Sequence, residues 1–412
     1  MEKVIKLINV ILIITFLPVS KLHTQQLFSH NDLENYGIEC SEPPLLSIDE
    51  LSIIESLPDL FEWSDGSGRI NKISEWRCRR AEIVEEIQHY QLGYKPPPPD
   101  ALIATFTPGD STIRLSVIDN NDTLNLTAYV FYLPSGKGPF PAIILTGGFP
   151  TIPLKFFTSR NIVVVSFRWW ELAPWQRNSR SEGAFFQFYP ELQYAGSMLA
   201  WAWGVSRLID AIYELPELKV DTAKIGVTGC SFAGKIAIYS AVLDERIALT
   251  IAQEPGCGGS ASWRVAEVLP GSREKLSNAL WAGWYHQNLG QFSSCVTKLP
   301  YDHHEVMGAI APRPLLVLGN PDFEWLAEEA TYVACKATKE IYRALGVPDR
   351  FGFSQAGGHD HCALPESQYS EVEAFLDKFL LDINSVNTDI EKTPYNDIDL
   401  SEWIKWDTPT LK

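Results

Sequence analysis

The segment Gly229-Cys230-Ser231-Phe232-Ala233-Gly234 sets a serine between two apolar runs, "KIGVTG" and "IAIYSAVL". A serine on a strand-to-helix turn projects its hydroxyl, and the helix N-terminus behind it favours developing negative charge. Ser231 is therefore a candidate acyl-transfer nucleophile, although a serine there serves equally well as a plain helix N-cap. The second glycine comes one residue later than in G-x-S-x-G. A nucleophilic serine needs a base, and far downstream "FGFSQA" runs into "GGHDHC", a tight turn presenting His359 or His361. Two carboxylates follow apolar runs, Glu254 after "IALTIAQ" and Asp322 after "LLVLG". Either one would complete a triad by orienting the imidazole. Cys230 precedes the serine and Cys362 follows His361. If hydroxyl and imidazole meet, these neighbours lie within disulfide reach.

The elements around these residues alternate. "TIRLSVI" and "LTAYVFYL" read as antiparallel strands, whereas "PAIILTGG", "NIVVVSF", "KIGVTG", "IALTIAQ", "PLLVLGN" and "DRFGFSQA" are short continuous apolar runs. Such runs suit strands buried on both faces. Between them lie helical patterns, notably 74–93, 197–215 and 370–381. The expected fold is α/β: a mostly parallel central sheet sandwiched by helices in three layers, with the chain order of α/β-hydrolases. Sites in such sheets lie beyond the carboxyl ends of the strands, where Ser231 falls. One catalytic domain over 25–385 and a polar extension over 386–412 are expected.

The chain has 412 residues and a net charge of -17, from 34 Lys plus Arg against 51 Asp plus Glu. That balance disfavours nucleic acid and anionic membranes as partners. Leu7–Val19, preceded by Lys3 and Lys6, is too short to span a bilayer but suits a signal peptide over residues 1–24. The expected mature protein is secreted, extracellular and free of membrane, and its seven cysteines are candidates for disulfides rather than metal ligands. Asn121 and Asn125 begin N-glycosylation motifs. "YDHH" at 301–304 holds ligand-type residues, but adjacent histidines rarely reach one ion, so no metal is expected. Trp263, Trp281 and Trp284 are candidates to line a cleft.

Ordered blocks throughout the chain resemble the glucuronoyl esterases of carbohydrate esterase family 15. They include "LPDLFEWSDG", "EWRCRRAEI", "AGSMLAWAWGVSRLIDA", "VTGCSFAGK", "RIALTIAQEPGCGG", "LPYDHH" and "GFSQAGGHDHC". The resemblance implies a serine esterase that cleaves esters of (4-O-methyl-)glucuronic acid in lignin–glucuronoxylan cross-links, without a cofactor and as a monomer. It makes Ser231 the nucleophile, His361 the base and Glu254 the acid, with Asp322 as the alternative. Lys235, Gln253 and Trp325 match residues that contact the glucuronate. It also implies disulfides Cys40–Cys78 and Cys230–Cys362, and a third bridge from Cys335. The usual partner of that third bridge is Ser262 here, leaving Cys257 as its substitute and Cys295 unpaired. One departure stands out: the family's "GCSRNGK" has an arginine that helps hold the oxyanion, and Phe232 replaces it. A backbone N–H from Phe232 remains, with Lys235 or Arg264 as rescuing donors. The alternatives implied are an esterase of different acyl specificity and an impaired carbohydrate-binding relative.

Overall fold

The computed structural model describes residues 33–35, 39–271, 273–278 and 283–412; the expected signal peptide and Trp281 lie outside them. Ten strands form one sheet in the order β1-β2-β3-β5-β4-β6-β7-β8-β9-β10. β1 (Ala101–Thr107), β2 (Thr112–Asp119) and β3 (Asp122–Tyr132) form an antiparallel flank. β3 pairs antiparallel with β5 (Val163–Phe167), and from there the sheet is parallel. β4 (Phe140–Leu145), β6 (Val220–Cys230), β7 (Leu249–Gln253), β8 (Leu315–Gly319) and β9 (Phe351–Gln355) are its centre.

The continuous apolar runs arise because both faces are covered. Ile143 and Leu145 of β4, Val164 of β5, and Leu316 and Leu318 of β8 enter one core cluster. Their alternating neighbours Ala142, Ile144, Val163, Val165, Leu315 and Val317 enter the other. Five helices of more than ten residues are described: α1 (Trp76–Ile87), α2 (Ser197–Tyr213), α3 (Phe232–Leu243), α4 (Glu328–Ala344) and α5 (Tyr369–Leu381). Val372, Phe375, Leu376 and Leu380 of α5 pack in the smaller cluster, whereas α2, α3 and α4 contribute to the larger.

Two features depart from the sequence reading. The polar extension over 386–412 takes part in the fold: β10 (Glu391–Lys392) adds a parallel edge strand to β9. The chain then crosses the molecule, packing Trp406 edge-on to Phe61 at 5.6 Å and ending with the Lys412 N–H on Asn71 O. Its apolar residues are too sparse to make a period. Nor do Cys257 and Cys335 pair. Both are free and buried, packing as small apolar side chains. Ser262, at the family's usual bridge position, instead caps the Trp263–Val268 helix and donates to Asp302. Cys295 is also free, and the disulfides present are Cys40–Cys78 and Cys230–Cys362.

Candidate active site

Ser231 follows β6 at the N-cap position of α3, with φ 59° and ψ −125°. That left-handed backbone is strained for a side-chain residue and is kept only where the surroundings enforce it. Two contacts do so: the Ser231 N–H donates to Gln253 O at 2.9 Å, and the Lys235 N–H donates to Ser231 O at 3.1 Å. The late glycine has a steric reason. A Cβ at Gly234 would stand 2.7 Å from Gln253 O, so the first turn of α3 could not lie against β7.

β7 carries the next residue. Glu254 follows it directly, 1% exposed and at φ 46°, with its N–H on Leu318 O at 2.6 Å. Its Oε2 accepts from His361 Nδ1 at 2.6 Å, and its Oε1 accepts from the Cys362 N–H at 3.0 Å. A carboxylate can only accept, so His361 carries its proton on Nδ1 and keeps Nε2 basic. Cys362, at φ 66°, is bonded to Cys230, and their Cα atoms are 5.6 Å apart. The disulfide thus joins the residue before Ser231 to the residue after His361, and a His361 ring nitrogen lies within 4.8 Å of its sulfurs. Three consecutive parts of the site sit on strained backbone, each costing on the order of 1–3 kcal/mol.

The other acid lies elsewhere. Asp322 accepts from the Gly358 N–H and donates its own N–H to Asn320 Oδ1, so it braces the glycine turn rather than the imidazole. His359 is bound to backbone through Nε2 to Ala356 O at 2.8 Å. Of the two histidines left open by the sequence, His361 is the one on Glu254.

The Phe232 side chain packs edge-on to Trp169 at 5.1 Å and against Trp201 and Trp284 at 5.9 and 6.2 Å. It offers no donor, but its N–H belongs to the first helical turn, which lacks intrahelical acceptors. Arg264 is no substitute. Its guanidinium bonds to Ile54 O, Tyr301 O, Leu299 O and Asp302 in the interior. Lys235 is buried, with Nζ 3.7 Å from Glu274 and 5.8 Å above the Trp284 ring. Burial pushes its pKa down, and Glu274 partly opposes this. Gln253 is fully buried, and neither atom of its amide finds a partner among the described residues. Trp325 is 41% exposed and meets the His361 ring edge-on at 5.8 Å.

Other candidates prove structural. Trp263 is wholly buried, edge-on to His303, and lines no cleft. Trp284 is 5% exposed, though it touches both Phe232 and Lys235. Asp302 accepts from the Trp263, Arg264 and His303 N–H groups, while the two histidines bond to Gly259 O and Pro58 O. These contacts tie loops together. The grouping of three ligand-type side chains, Cys230, His361 and Cys362, contains the disulfide and hence no thiolate. Trp169, Arg177 and Glu274 were not singled out in the sequence. Arg177 stacks 4.9 Å from the Trp284 ring centre and pairs with Glu274 at 2.8 Å. Tertiary folding alone assembles them, so no spacing marked them.

The family model described as "Glucuronyl esterase, fungi" matches residues 115–346. A 4-O-methyl-glucuronoyl methylesterase of Podospora anserina is 37% identical over 370 residues, 87% of this chain and 75% of its own. One from Hypocrea jecorina is 37% identical over 360 residues, 86% of this chain and 76% of its own. Among solved structures, the glucuronoyl esterase catalytic domain of Hypocrea jecorina superposes with a TM-score of 0.82 at 36% identity, covering 90% of this chain and 100% of that one. A Sporotrichum thermophile glucuronoyl esterase mutant, solved with methyl 4-O-methyl-beta-D-glucopyranuronate, gives 0.83 at 34% identity with the same coverage.

Proposed function

Because the chain belongs to the glucuronoyl esterase family and is a carboxylic ester hydrolase, we propose that it cleaves (4-O-methyl-)glucuronate esters through Ser231, His361 and Glu254. His361 Nε2 takes the proton of Ser231 Oγ as the oxygen attacks the uronoyl carbonyl. The tetrahedral oxyanion rests on N–H groups at the start of α3, that of Phe232 first. His361 then protonates the departing alkoxide, and water, deprotonated by the same nitrogen, releases the acid and restores Ser231. Glu254 holds the ring and its tautomer throughout. The observation that carries this reading is the 2.6 Å Glu254–His361 contact, in a loop fastened by disulfide to the serine's neighbour.

Gln253, Lys235 and Trp325 are the substrate contacts in this reading. An unpartnered buried amide costs stability unless something pairs with it, and sugar hydroxyls fit that need. The substrate is then the glucuronate ester that links glucuronoxylan to lignin alcohols. The enzyme acts outside the cell as a single domain over 25–385, with the tail strapped to it. In support, no described helix is long and apolar enough to cross a membrane, and two disulfides are present. The test is hydrolysis of methyl and benzyl glucuronate by the wild type and by Ser231→Ala. Product from the wild type and none from the variant is expected; equal rates would refute the assignment.

The apolar setting of Phe232 favours a second reading, an esterase shifted towards less polar acyl groups. Faster turnover of acetyl or feruloyl esters than of methyl glucuronate would select it.

A further inference from the structure

A line of aromatic rings leaves the candidate site and continues onto the antiparallel flank. Phe232, next to the nucleophile, meets Trp169 at 5.1 Å, and Trp169 meets Trp170 at 5.5 Å. The Arg168 guanidinium then lies 5.3 Å from the ring centres of both Trp170 and Tyr129. Trp170, Tyr129 and Phe131 are 45%, 41% and 46% exposed. Tyr129 and Phe131 both lie on β3, whose register against β5 shifts between Val130 and Tyr132. The Trp170 ring leans on Gly148, where a Cβ would stand 2.7 Å from it, so its position is built in. Arg168 carries no spare charge, since it pairs with Glu171 at 3.0 Å and bonds to Thr127 Oγ1 at 2.6 Å.

We propose that Trp170, Arg168 and Tyr129 form a track for a chain of neutral β-linked pyranoses, the backbone that carries the esterified glucuronate. Flat rings cover the apolar faces of pyranoses, and a compensated charge suits a neutral polymer. Continuity with the site argues for this occupant, because the polymer must extend away from the reacting branch. The identity of the polymer rests on the function proposed above.

The test uses the full secreted chain and three variants, Trp170→Ala, Tyr129→Ala and the conservative Tyr129→Phe. Two quantities are measured: retention by glucuronoxylan in affinity electrophoresis, and kcat/KM on methyl glucuronate. Each alanine variant is expected to weaken polymer binding about 5- to 10-fold while changing small-ester turnover less than about twofold. Tyr129→Phe should bind as the wild type does, and linear xylo-oligosaccharides should compete. Unchanged polymer retention overturns the track. So does displacement by benzyl alcohol but not by xylo-oligosaccharide, which would assign the rings to an aromatic alcohol. A wild type inert on methyl glucuronate would refute the proposed function instead, leaving the binding result readable on its own.

Discussion

Ser231, Glu254 and Cys362 all hold positive φ values, which L-residues avoid unless neighbours force them. These three positions lie where the side chains of the site converge, and the roles of individual residues are testable. Ser231→Ala should lower kcat by roughly 10⁴-fold or more, and Glu254→Gln by up to about 10⁴-fold through loss of the imidazole's orientation. Asp322→Asn should change kcat less than about threefold, since its carboxylate serves the Gly358 turn; a loss as large as that of Glu254→Gln would reverse the assignment. Phe232→Arg restores a side-chain donor beside the elbow. A single oxyanion donor is worth on the order of 10²–10³ in rate, so kcat on benzyl glucuronate should rise, by up to about 10². No rise would mean that backbone donors already suffice. The glycine signals of their turns marked Ser231 and the pair His359 and His361 in the sequence, but not which of the two histidines faces a carboxylate. Nor could the choice between Glu254 and Asp322 be read there, because both end strands and only the path of the downstream loop brings one to the imidazole.

At the scale of elements, β6 with α3, β7 with its bend at Glu254, and the loop after β9 each supply one group of the proposed triad. The Cys230–Cys362 bridge fastens the first to the third across 132 residues. Closing a loop of that size stabilises by about 5 kcal/mol, mainly by restricting the unfolded chain. Cys230→Ser with Cys362→Ser should lower the denaturant midpoint accordingly and also reduce kcat; lost stability with full activity would show that the bridge does not position the base. The tail is a second fastening. Deleting 386–412 removes β10 and the packed Trp406 and buried Leu411, an expected loss of about 3 kcal/mol with kcat on small esters unchanged. An unaltered melting temperature would return the tail to the status of an appendage.

For the whole molecule, buried ionisable groups set the pH range of stability. His303 and His304 are enclosed, and lost hydration pushes both down to about 4 from 6.5. The unfolded chain binds these protons below pH 6.5, so the stability they contribute is complete above that value and lost as pH falls towards 4. Glu86 and Glu305 behave oppositely. Burial raises them from 4.5 to about 7 and about 8, so their contribution is complete below 4.5 and lost as pH rises through 7 to 8. The opposing slopes leave a mildly acidic plateau. Melting temperatures should peak there and fall on both flanks, and a steady rise to about pH 9 would contradict this account.

The sequence by itself determined the α/β alternation and the strand-to-helix turn at Ser231, because each is written in short-range periodicity or glycine placement. The tertiary structure decided which carboxylate reaches His361, that Arg264 is spent inside the protein, that Cys257 and Cys335 stay apart, and that a sparse tail becomes a strap. Those outcomes depend on contacts between residues tens to hundreds of positions apart. Such contacts follow from how loops of fixed length cross a folded surface, and no local pattern encodes that.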